Sequence, residues 1–207
     1  MPYNQWTGEV DHGMGALRTP REKWVEEGLR ALAEGGVEAV RVEALAKAIG
    51  VTKGGFYGYF ADRAALLEAM LDAWEYESVD EVLARVEQEG CDARDKVRLA
   101  GRLTFSGGRL LPIDLAVRDW ARRDEAVAER LRRVDNRRMQ LARDGIGTFC
   151  ADPDEVEARA LLAFCTAIGN HFLAADHPGR TREQVLARAA DLILGGPPGD
   201  PSRFAAP

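Results

Sequence analysis

Apolar residues recur along most of the chain with the three- or four-residue spacing that is typical of α-helices. One short stretch shows the pattern clearly, because its apolar residues share a single helical face: Val42, Leu45, Ala46 and Ile49. Gly50 follows directly, as glycine often does at the end of a helix. No segment alternates apolar and polar residues with the period of two that marks strands. The pattern predicts an all-α fold with about nine helices.

A second short helix is predicted immediately after this glycine. Thr52 is suited to cap its N-terminus, and its first turn would carry Lys53, Gly54 and Gly55. Two short helices joined by a tight turn constitute a helix-turn-helix, whose second helix enters the DNA major groove with its N-terminal end. Lys53 could then reach a guanine edge or a phosphate, and the glycines would let the backbone approach DNA closely. The alternative is a flexible glycine loop after a short helix.

Longer helices are predicted on both sides of this motif. Pro20 suits the first turn of a helix over residues 19–35, with Thr19 as its N-cap. Asp62 suits the N-cap of a much longer helix that runs to about Gln88. A helix of that length could act as a lever between the motif and the rest of the chain.

The residues around the motif resemble the N-terminal domain of the TetR family of transcriptional regulators. The resemblance is carried by the run from Ala46 to Phe60, by Asp62-Arg63 and by Leu66-Leu67. It includes a Gly-Val turn, a Tyr-x-aromatic-Phe motif and a basic residue three positions after the phenylalanine. It covers about 50 of the 207 residues and implies a DNA-binding regulator, but it specifies neither ligand nor target.

The resemblance also implies roles for individual side chains. Tyr57 would contact a phosphate and Tyr59 would face the groove or the DNA backbone, whereas Phe56 and Phe60 would pack into the domain core. Arg63 stands at the family's phosphate-contacting basic position, where lysine is more usual. The candidate DNA-binding residues are therefore Arg41, Thr52, Lys53, Gly54, Gly55, Tyr57, Tyr59 and Arg63.

Two residues depart from the family pattern. Arg41 stands where the second helix often has a Ser or Thr cap, which leaves the capping of that helix open. Glu43 stands where a basic residue is common, and a carboxylate beside DNA repels phosphate unless it reads a cytosine amino group. Glu43 could equally point to solvent, and we do not count it as a contact.

A strongly charged helix is predicted over residues 125–149. Its apolar residues Val127, Leu131, Val134 and Leu141 would face inward. Its arginines are expected to face outward: Arg130, Arg132, Arg133, Arg137, Arg138 and Arg143.

The last two predicted helices, residues 156–175 and 181–194, carry more small and apolar residues than a solvent-facing pair needs. This excess fits a face shared with a second copy of the chain, as a four-helix bundle around a two-fold axis, which is also a property of the family. Because a single short helix reads too few base pairs, we expect a homodimer that addresses two half-sites.

The helical part beyond the motif offers candidates for an apolar cavity that binds a small molecule. These candidates are Trp74, Phe105, Trp120, Met139, Phe149, Phe164, Asn170 and His171. The alternative is that most of them are ordinary core residues. His171 and His177 are six residues apart with no cysteine or carboxylate to complete a ligand set, which argues against a metal site. We find no dinucleotide fingerprint, nucleophile elbow or phosphate-binding loop, and we expect neither a cofactor nor a catalytic residue.

The positions of the charged residues, rather than the net charge, bear on the prediction of DNA binding. The chain carries a net charge of −6, whereas residues 17–63 hold eight Lys and Arg against seven Asp and Glu. The average charge therefore does not favour DNA, but Arg18, Arg21, Lys53 and Arg63 flank the two ends of the motif. We expect a modest, salt-sensitive non-specific affinity for DNA.

The cysteines and the apolar runs indicate in which compartment the protein is expected. Cys91, Cys150 and Cys165 are far apart and odd in number, and we expect reduced, buried side chains in a cytoplasmic protein. No apolar run is long enough for a membrane span, and the first fifteen residues give no signal-peptide pattern.

The sequence therefore predicts four parts: a flexible arm (1–16), a helix-turn-helix domain (17–63), a helical effector-binding and dimerisation domain (64–195) and a flexible tail (196–207). The predicted function is a cytoplasmic homodimeric repressor that a small molecule releases from operator DNA. Two alternatives stay open. One is a helical-bundle enzyme that uses buried carboxylates or His171, and the other is a helical interaction module that does not bind DNA.

Overall fold

The computed structural model describes residues 20–89, 92–106 and 108–195. The predicted arm and tail, and the predicted roles of Arg18, Thr19 and Cys91, lie outside these residues. Within them the chain is all-helical, as predicted, and forms nine successive helices. These are α1 (Pro20–Gly35), α2 (Val42–Ala48), α3 (Lys53–Phe56), α4 (Arg63–Tyr76, continued by Glu77–Glu81 and Val82–Gln88), α5 (Ala93–Phe105), α6 (Leu110–Ala121), α7 (Glu125–Gly147), α8 (Pro153–Gly169) and α9 (Arg182–Leu194).

Acidic N-caps begin the longer helices after the motif. The side chains of Asp62, Asp92, Asp124 and Asp152 each accept a hydrogen bond from a backbone N–H in the first turn of α4, α5, α7 and α8. Such a side chain satisfies donors that the helix itself leaves unpaired, and its charge suits the positive end of the helix dipole. At α9, Thr181 and Gln184 form a reciprocal capping box. The cap predicted at Asp62 is confirmed.

The long helix α4 contains a π-helical turn. Residues Glu77–Glu81 form this turn between the α-helical segments Arg63–Tyr76 and Val82–Gln88. The helix predicted from Asp62 to Gln88 is therefore present without a break. A π-turn inside an α-helix accommodates one extra residue and is found frequently at functional sites.

One hydrophobic core runs through the helix-turn-helix and into the helical body, by which we mean α4 to α9. It joins Trp24 of α1 and Phe56 of α3 to Trp74 of α4, Val117 of α6 and Val134 of α7. Helix α1 packs against both α4 and α6. The predicted boundary after residue 63 therefore crosses a shared core and stays a prediction.

Two smaller clusters complete the packing of the body. Val82, Val86 and Leu99 pack the end of α4 against α5. Ile146, Ala160 and Leu194 hold α7, α8 and α9 together. The cavities described below lie among α4, α5, α7, α8 and α9.

Three details differ from the sequence predictions. Helix α8 ends at Gly169, so the helix predicted to extend to residue 175 is too long. Arg138 is buried and was wrongly expected to face outward, because it occupies a position on the inner face of α7. Cys165 is exposed and Cys150 is only half-buried, so the expectation of buried thiols is wrong for Cys165.

The described ranges hold neither a membrane-spanning helix nor a cluster of metal ligands. None of the helices in them is long and apolar enough to cross a membrane. The same ranges contain no group of three or more His, Cys, Asp or Glu side chains that could hold a metal ion.

Candidate nucleic-acid interface and effector cavity

The turn between α2 and α3 is built as the sequence predicts. Gly50 adopts a φ of 73°, a left-handed conformation that L side chains rarely take. The Val51 N–H then donates to the Ala46 carbonyl at 2.9 Å, which closes the end of α2. Helix α3 begins two residues later, at Lys53.

Two phenylalanines anchor α3 to the core. Phe56 is fully buried and makes an edge-on contact with Trp24 at 5.2 Å between ring centroids. Phe60 stacks on Phe56 at 5.3 Å, and its N–H donates to the Phe56 carbonyl at 3.0 Å. These contacts fix the orientation of a helix that is too short to be stable alone.

The residues between and before these anchors face outward. Tyr57 is 57% exposed and Tyr59 is 44% exposed, and Lys53, Gly54 and Gly55 are exposed as well. A Cβ atom added at Gly54 would lie 3.7 Å from its nearest neighbour, Thr52 Oγ1. The protein's own packing therefore does not require glycine there, and the fold presents a bare backbone edge with two phenol rings beside it.

Helix α3 is shorter and less well capped than expected. It comprises four residues, Lys53–Phe56, and then continues as a turn. Thr52 occupies the N-cap position, but its side chain makes no capping hydrogen bond to the described residues that follow. Its carbonyl accepts from the Gly55 N–H at 3.0 Å instead. The Gly55 N–H, which a side-chain cap could satisfy, is thus paired within the turn.

Lys53 forms an exposed ion pair with Glu43 of α2. The Lys53 Nζ and Glu43 Oε1 atoms are 2.5 Å apart, and both side chains are largely exposed. The hydrogen bond to Lys53 lowers the pKa of Glu43, and the same bond raises the pKa of Lys53. Both groups are therefore charged at neutral pH, and each is the other's ion-pair partner.

The two arginines among the DNA-binding candidates serve the backbone of the domain. Arg63 is half-buried, and its Nε and Nη2 atoms donate to the carbonyls of Val40 at 2.6 Å and Val37 at 2.5 Å. It thus braces the start of α4 against the segment before α2, and its contact with a phosphate stays a prediction. Arg41 is exposed, and its Nε atom donates to the Glu38 carbonyl at 3.0 Å. No side-chain cap from Arg41 to the described start of α2 forms, which answers the capping question.

Arg21 adds a cation close to the exposed residues of α3 and the turn that follows it. Its guanidinium lies 5.1 Å from the centre of the Phe60 ring, and the residue is exposed. A cation over an aromatic face is held in place without losing its charge to a carboxylate. Of the basic residues that the sequence placed at the ends of the motif, Arg21 and Lys53 are thus the exposed ones in the described part of the chain.

The body contains two adjoining cavities. The larger has a volume of about 740 Å³ and lies between α5, α8 and α9, and the smaller has about 70 Å³. Phe105, Asn170 and His171 line the larger cavity, and Phe105 and Phe164 line the smaller one. His171 Nε2 donates to the Phe105 carbonyl at 2.6 Å, which ties the end of α8 to the end of α5.

The other pocket candidates from the sequence lie elsewhere. Trp120 is part of the main core, and Met139 and Phe149 pack against the cluster between α7, α8 and α9. Trp74 is fully buried beside Arg138, whose guanidinium carbon lies 5.9 Å from its ring centre. These four side chains line neither of the two cavities described above, and their role in a ligand pocket stays a prediction.

A buried charge network, which the sequence analysis missed, borders the smaller cavity. Asp114 of α6 accepts from Arg138 Nη1 at 2.8 Å and from Arg118 Nε at 2.9 Å. Asp135 accepts two further hydrogen bonds from Arg118, at 2.7 and 2.8 Å. Burial alone would lower the pKa of Arg118, but its hydrogen bond to Asp135 and the nearby Asp114 charge raise that pKa above its ordinary value.

The sequence does contain a signal for this network. Arg138 stands four residues after Val134 and three before Leu141, which is a core position of the apolar stripe of α7. Asp114 likewise follows Ile113 and precedes Val117 on α6, and both neighbours are buried. A charged residue at a core position predicts a buried partner, since an isolated buried charge is strongly unfavourable.

A helix-turn-helix with exposed α3 residues, joined to an all-helical body, is the architecture of a DNA-binding transcriptional regulator. Residues 25–70 match the model of the family described as bacterial regulatory proteins, tetR family. These residues therefore carry the N-terminal domain of that family, as the resemblance in the sequence predicts.

Solved structures of similar proteins support the fold over most of the chain. A transcriptional regulator from Rhodococcus sp. Rha1 is 22% identical with a TM-score of 0.63, and the match covers 86% of this chain and 95% of that one. A regulator from Saccharomonospora viridis, solved in complex with choline, is 16% identical with a TM-score of 0.66, over 84% and 93% of the two chains. The ketosteroid transcriptional regulator KstR2 of Mycobacterium tuberculosis is 18% identical with a TM-score of 0.61, over 90% and 98%. A search of curated proteins gave no match.

Proposed function

We propose that this regulator is a homodimeric repressor in the cytoplasm that a small molecule releases from its operator. The observation that carries the proposal is the outward placement of Lys53, Gly54, Gly55, Tyr57 and Tyr59 on a helix whose phenylalanines are buried. An N-terminal helix end that presents a cation and bare backbone is suited to enter the major groove. Exposed phenol groups beside it are suited to donate to phosphates.

The proposed DNA contacts divide into two groups. Lys53, Gly54 and Gly55 approach the base edges, and Tyr57 and Tyr59 hold the flanking phosphates. Thr52 and Arg41 are exposed at the two helix starts and contribute to the backbone contacts. Arg63 acts first as a brace, because its hydrogen bonds to Val37 and Val40 position the start of α4.

The proposed dimer face lies on α8 and α9. These helices pack against each other, and they expose Leu161, Leu162 and Leu192, each more than half accessible, together with Cys165. A second copy that covers this face around a two-fold axis would build a four-helix bundle and place two reading helices on successive major grooves. The predicted interface segment 170–175 is outside the helices, although its Phe172 and Leu173 are exposed.

The larger cavity is the proposed effector site. Its volume of about 740 Å³ falls within the range of about 300–1,000 Å³ that is usual for small-molecule pockets. The related Saccharomonospora viridis regulator was solved with choline, so this architecture holds a small molecule in at least one relative. We assign the reading of DNA to residues 17–63 and the binding of effector to residues 64–195.

DNA binding is tested with a fragment from upstream of the gene itself. We expect Lys53→Ala combined with Tyr57→Phe to weaken binding in electrophoretic mobility assays, because a cation and a phosphate donor are lost together. The matched control is Arg133→Ala with Tyr76→Phe, which removes the same charge and hydroxyl from the body at a tyrosine that is also 57% exposed. An unchanged DNA affinity in the first variant, with an unchanged helical circular-dichroism signal, would contradict the assignment.

The dimer face is tested by introducing charge into it. We expect Leu161→Glu with Leu192→Glu to produce a monomer in light scattering and to abolish operator binding, because four carboxylates would meet in an apolar interface. Tyr76→Glu, on an exposed side chain of α4, serves as the control and should leave the mass unchanged. A wild-type monomer at micromolar concentration that still binds a two-fold operator would contradict the proposed assembly.

A further inference from the structure

The guanidinium of Arg138 is held at one edge only. Its side chain is 6% exposed, and its Nη1 atom donates to Asp114 Oδ1 at 2.8 Å. Its Nε and Nη2 atoms are buried and have no hydrogen-bond partner among the described residues, and the same holds for Ser78 Oγ and Trp74 Nε1. Buried donors are rarely left unpaired, since each costs free energy comparable to a lost hydrogen bond. The unpaired groups lie on α4 and α7, and three of the four atoms are N–H donors.

The unpaired edge of Arg138 is the one that other arginines of this chain use to hold carboxylates. Arg132 donates from Nε and Nη2 to the two oxygens of Glu129, at 3.0 and 2.6 Å. Arg143 donates from the same two atoms to Glu157, at 2.5 and 2.9 Å. Two parallel N–H groups match the two oxygens of a carboxylate, which makes such pairs strong and specific.

Two of the three residues that carry the unpaired donors line a space that adjoins the larger cavity. Ser78, on the π-helical turn of α4, and Arg138 both line the smaller cavity of about 70 Å³. Most of its remaining lining is apolar, and none of the described residues that line it is acidic. Five residues border both cavities: Val97, Gly101, Phe105, Ala163 and Ala167. A side chain added at Gly101 would meet no described atom within 4 Å at its Cβ, so Gly101 faces open space.

Unused hydrogen-bond donors, rather than net charge, favour a carboxylate at this place. Asp114 and Asp135 face Arg118 and Arg138, so the network is neutral as a whole, but Asp114 already accepts from both arginines. Arg138 therefore shares one carboxylate and offers a second, unused bidentate edge. The hydroxyl of Thr104, which also lines the smaller cavity, donates to the Ala100 carbonyl at 3.0 Å.

We propose that the effector is a monocarboxylate with an apolar body. Its carboxylate binds in the smaller cavity to Arg138 Nε and Nη2 and to Ser78 Oγ, and its body extends past Gly101 into the larger cavity. The inference rests on the proposed function, because it names the chemical class of the small molecule that acts there. The rival occupant is water: at roughly 30 Å³ per molecule, about two waters would fill the smaller cavity and satisfy the same donors.

The test compares carboxylates with their uncharged counterparts. Octanoate and phenylbutanoate are each titrated against the primary amide of the same skeleton, by calorimetry and by thermal shift of the full chain. The key variant is Arg138→Lys, which keeps a positive charge for Asp114 but lacks the bidentate edge. Ser78→Ala removes a second donor without disturbing any bond among described residues. Arg132→Lys, at an exposed arginine with the same edge on Glu129, is the matched control.

We expect the carboxylates to bind the wild type and the control at least about tenfold more tightly than the amides, and Arg138→Lys to lose that preference. Gly101→Leu should block both classes, since its side chain would occupy the passage. Equal affinity for acid and amide overturns the inference, and so does binding that survives in Arg138→Lys and Ser78→Ala. Absence of binding by any carboxylate also overturns it and favours a hydrated cavity.

Operator binding, measured in the same samples, separates this inference from the proposed function. Carboxylate binding that releases DNA supports both. Carboxylate binding that leaves DNA affinity unchanged supports the carboxylate site but contradicts the effector role. Release of DNA by an uncharged molecule, with no response to carboxylates, upholds the repressor and overturns the carboxylate site.

Discussion

The helix-turn-helix and the helical body use charged side chains in opposite ways. In the first region, Lys53 and Glu43 form an exposed pair at 2.5 Å between two neighbouring short helices. In the second, Arg138 and Asp114 form a pair at 2.8 Å whose side chains are 6% and 0% exposed, and the partners come from α7 and α6. Solvent and salt weaken an exposed pair, whereas burial makes a pair hard to exchange.

The difference shows which charged side chains of this protein can exchange their ion-pair partners. In the proposed DNA complex, Lys53 exchanges Glu43 for a phosphate. An exposed pair permits this exchange, because water can solvate the carboxylate that is left. Arg138 cannot leave Asp114 without leaving a charge buried alone. A ligand in the body can therefore only add to the network, at the atoms of Arg138 that are still unpaired.

The largest expected effect comes from breaking the buried pair. Asp114→Ala should lower the free energy of unfolding by about 3–5 kcal/mol, because it strands the Arg138 charge in the core. Urea unfolding followed by circular dichroism measures the loss. The control is Asp119→Ala, at another aspartate of α6. It breaks an exposed pair with Arg123 and should leave stability nearly unchanged. Equal stability of the two variants would show that the buried network is not structural.

The glycines of α3 give the next effect, with opposite signs for stability and for function. Gly54→Ala and Gly55→Ala should each stabilise the free protein by up to about 1 kcal/mol, since glycine is a poor helix residue. The added methyl groups meet Thr52 Oγ1 no closer than 3.7 Å, so the fold accepts them. DNA affinity should nevertheless fall, because the backbone can no longer approach the groove closely.

Thermal unfolding and mobility shifts on the same samples check this prediction. Gly147→Ala is the control, because it also adds a methyl group to a helical glycine in open space, but at the end of α7. It should stabilise the fold without affecting DNA binding. If Gly54→Ala and Gly55→Ala leave DNA affinity intact, the glycines serve no close approach.

The smallest effect is expected at the exposed pair. Glu43→Gln frees Lys53 and should strengthen DNA binding a few-fold, and the slope of log affinity against log salt should steepen by about 0.9 if one phosphate contact is gained. Because Lys53 holds the pKa of Glu43 below its ordinary value, the carboxylate stays charged near neutral pH and the effect should not depend on pH there. Fluorescence anisotropy at several salt concentrations measures it.

Glu34→Gln is the matched control for this change. Glu34 pairs with Arg30 on α1 at 2.6 Å, so the variant removes the same charge from the same region without freeing Lys53. A similar salt slope in both variants would mean that the change acts through net charge alone.

The two regions also differ in how far the sequence predicted them. The turn at Gly50 and the cap at Asp62 follow from short-range spacing. The resemblance to the family, carried by a short motif, implied the buried Phe56 and Phe60 and the outward Tyr57 and Tyr59. Neighbouring residues determine these features, so a local pattern is sufficient to predict them.

The features that sequence reasoning missed depend on residues far apart in the chain. Arg63 bonds to carbonyls 23 and 26 residues away, and Arg138 bonds to a carboxylate 24 residues away. A helical pattern gives the face on which a residue lies but not the partner that meets it. Arg138 was therefore assigned to solvent on residue type, although its spacing from Val134 places it on the inner face.

The core shared between α1 and α6 has a practical consequence for hybrid regulators. A chimera joined after Arg63 would separate α1 from the α6 surface that covers it, and would expose the main hydrophobic cluster on both sides of the junction. The segment α1–α3 of this protein therefore cannot be transferred to another regulator as an independent unit. Exchange of operator preference is better attempted by grafting the few outward residues of α3 than by transplanting the whole N-terminal segment.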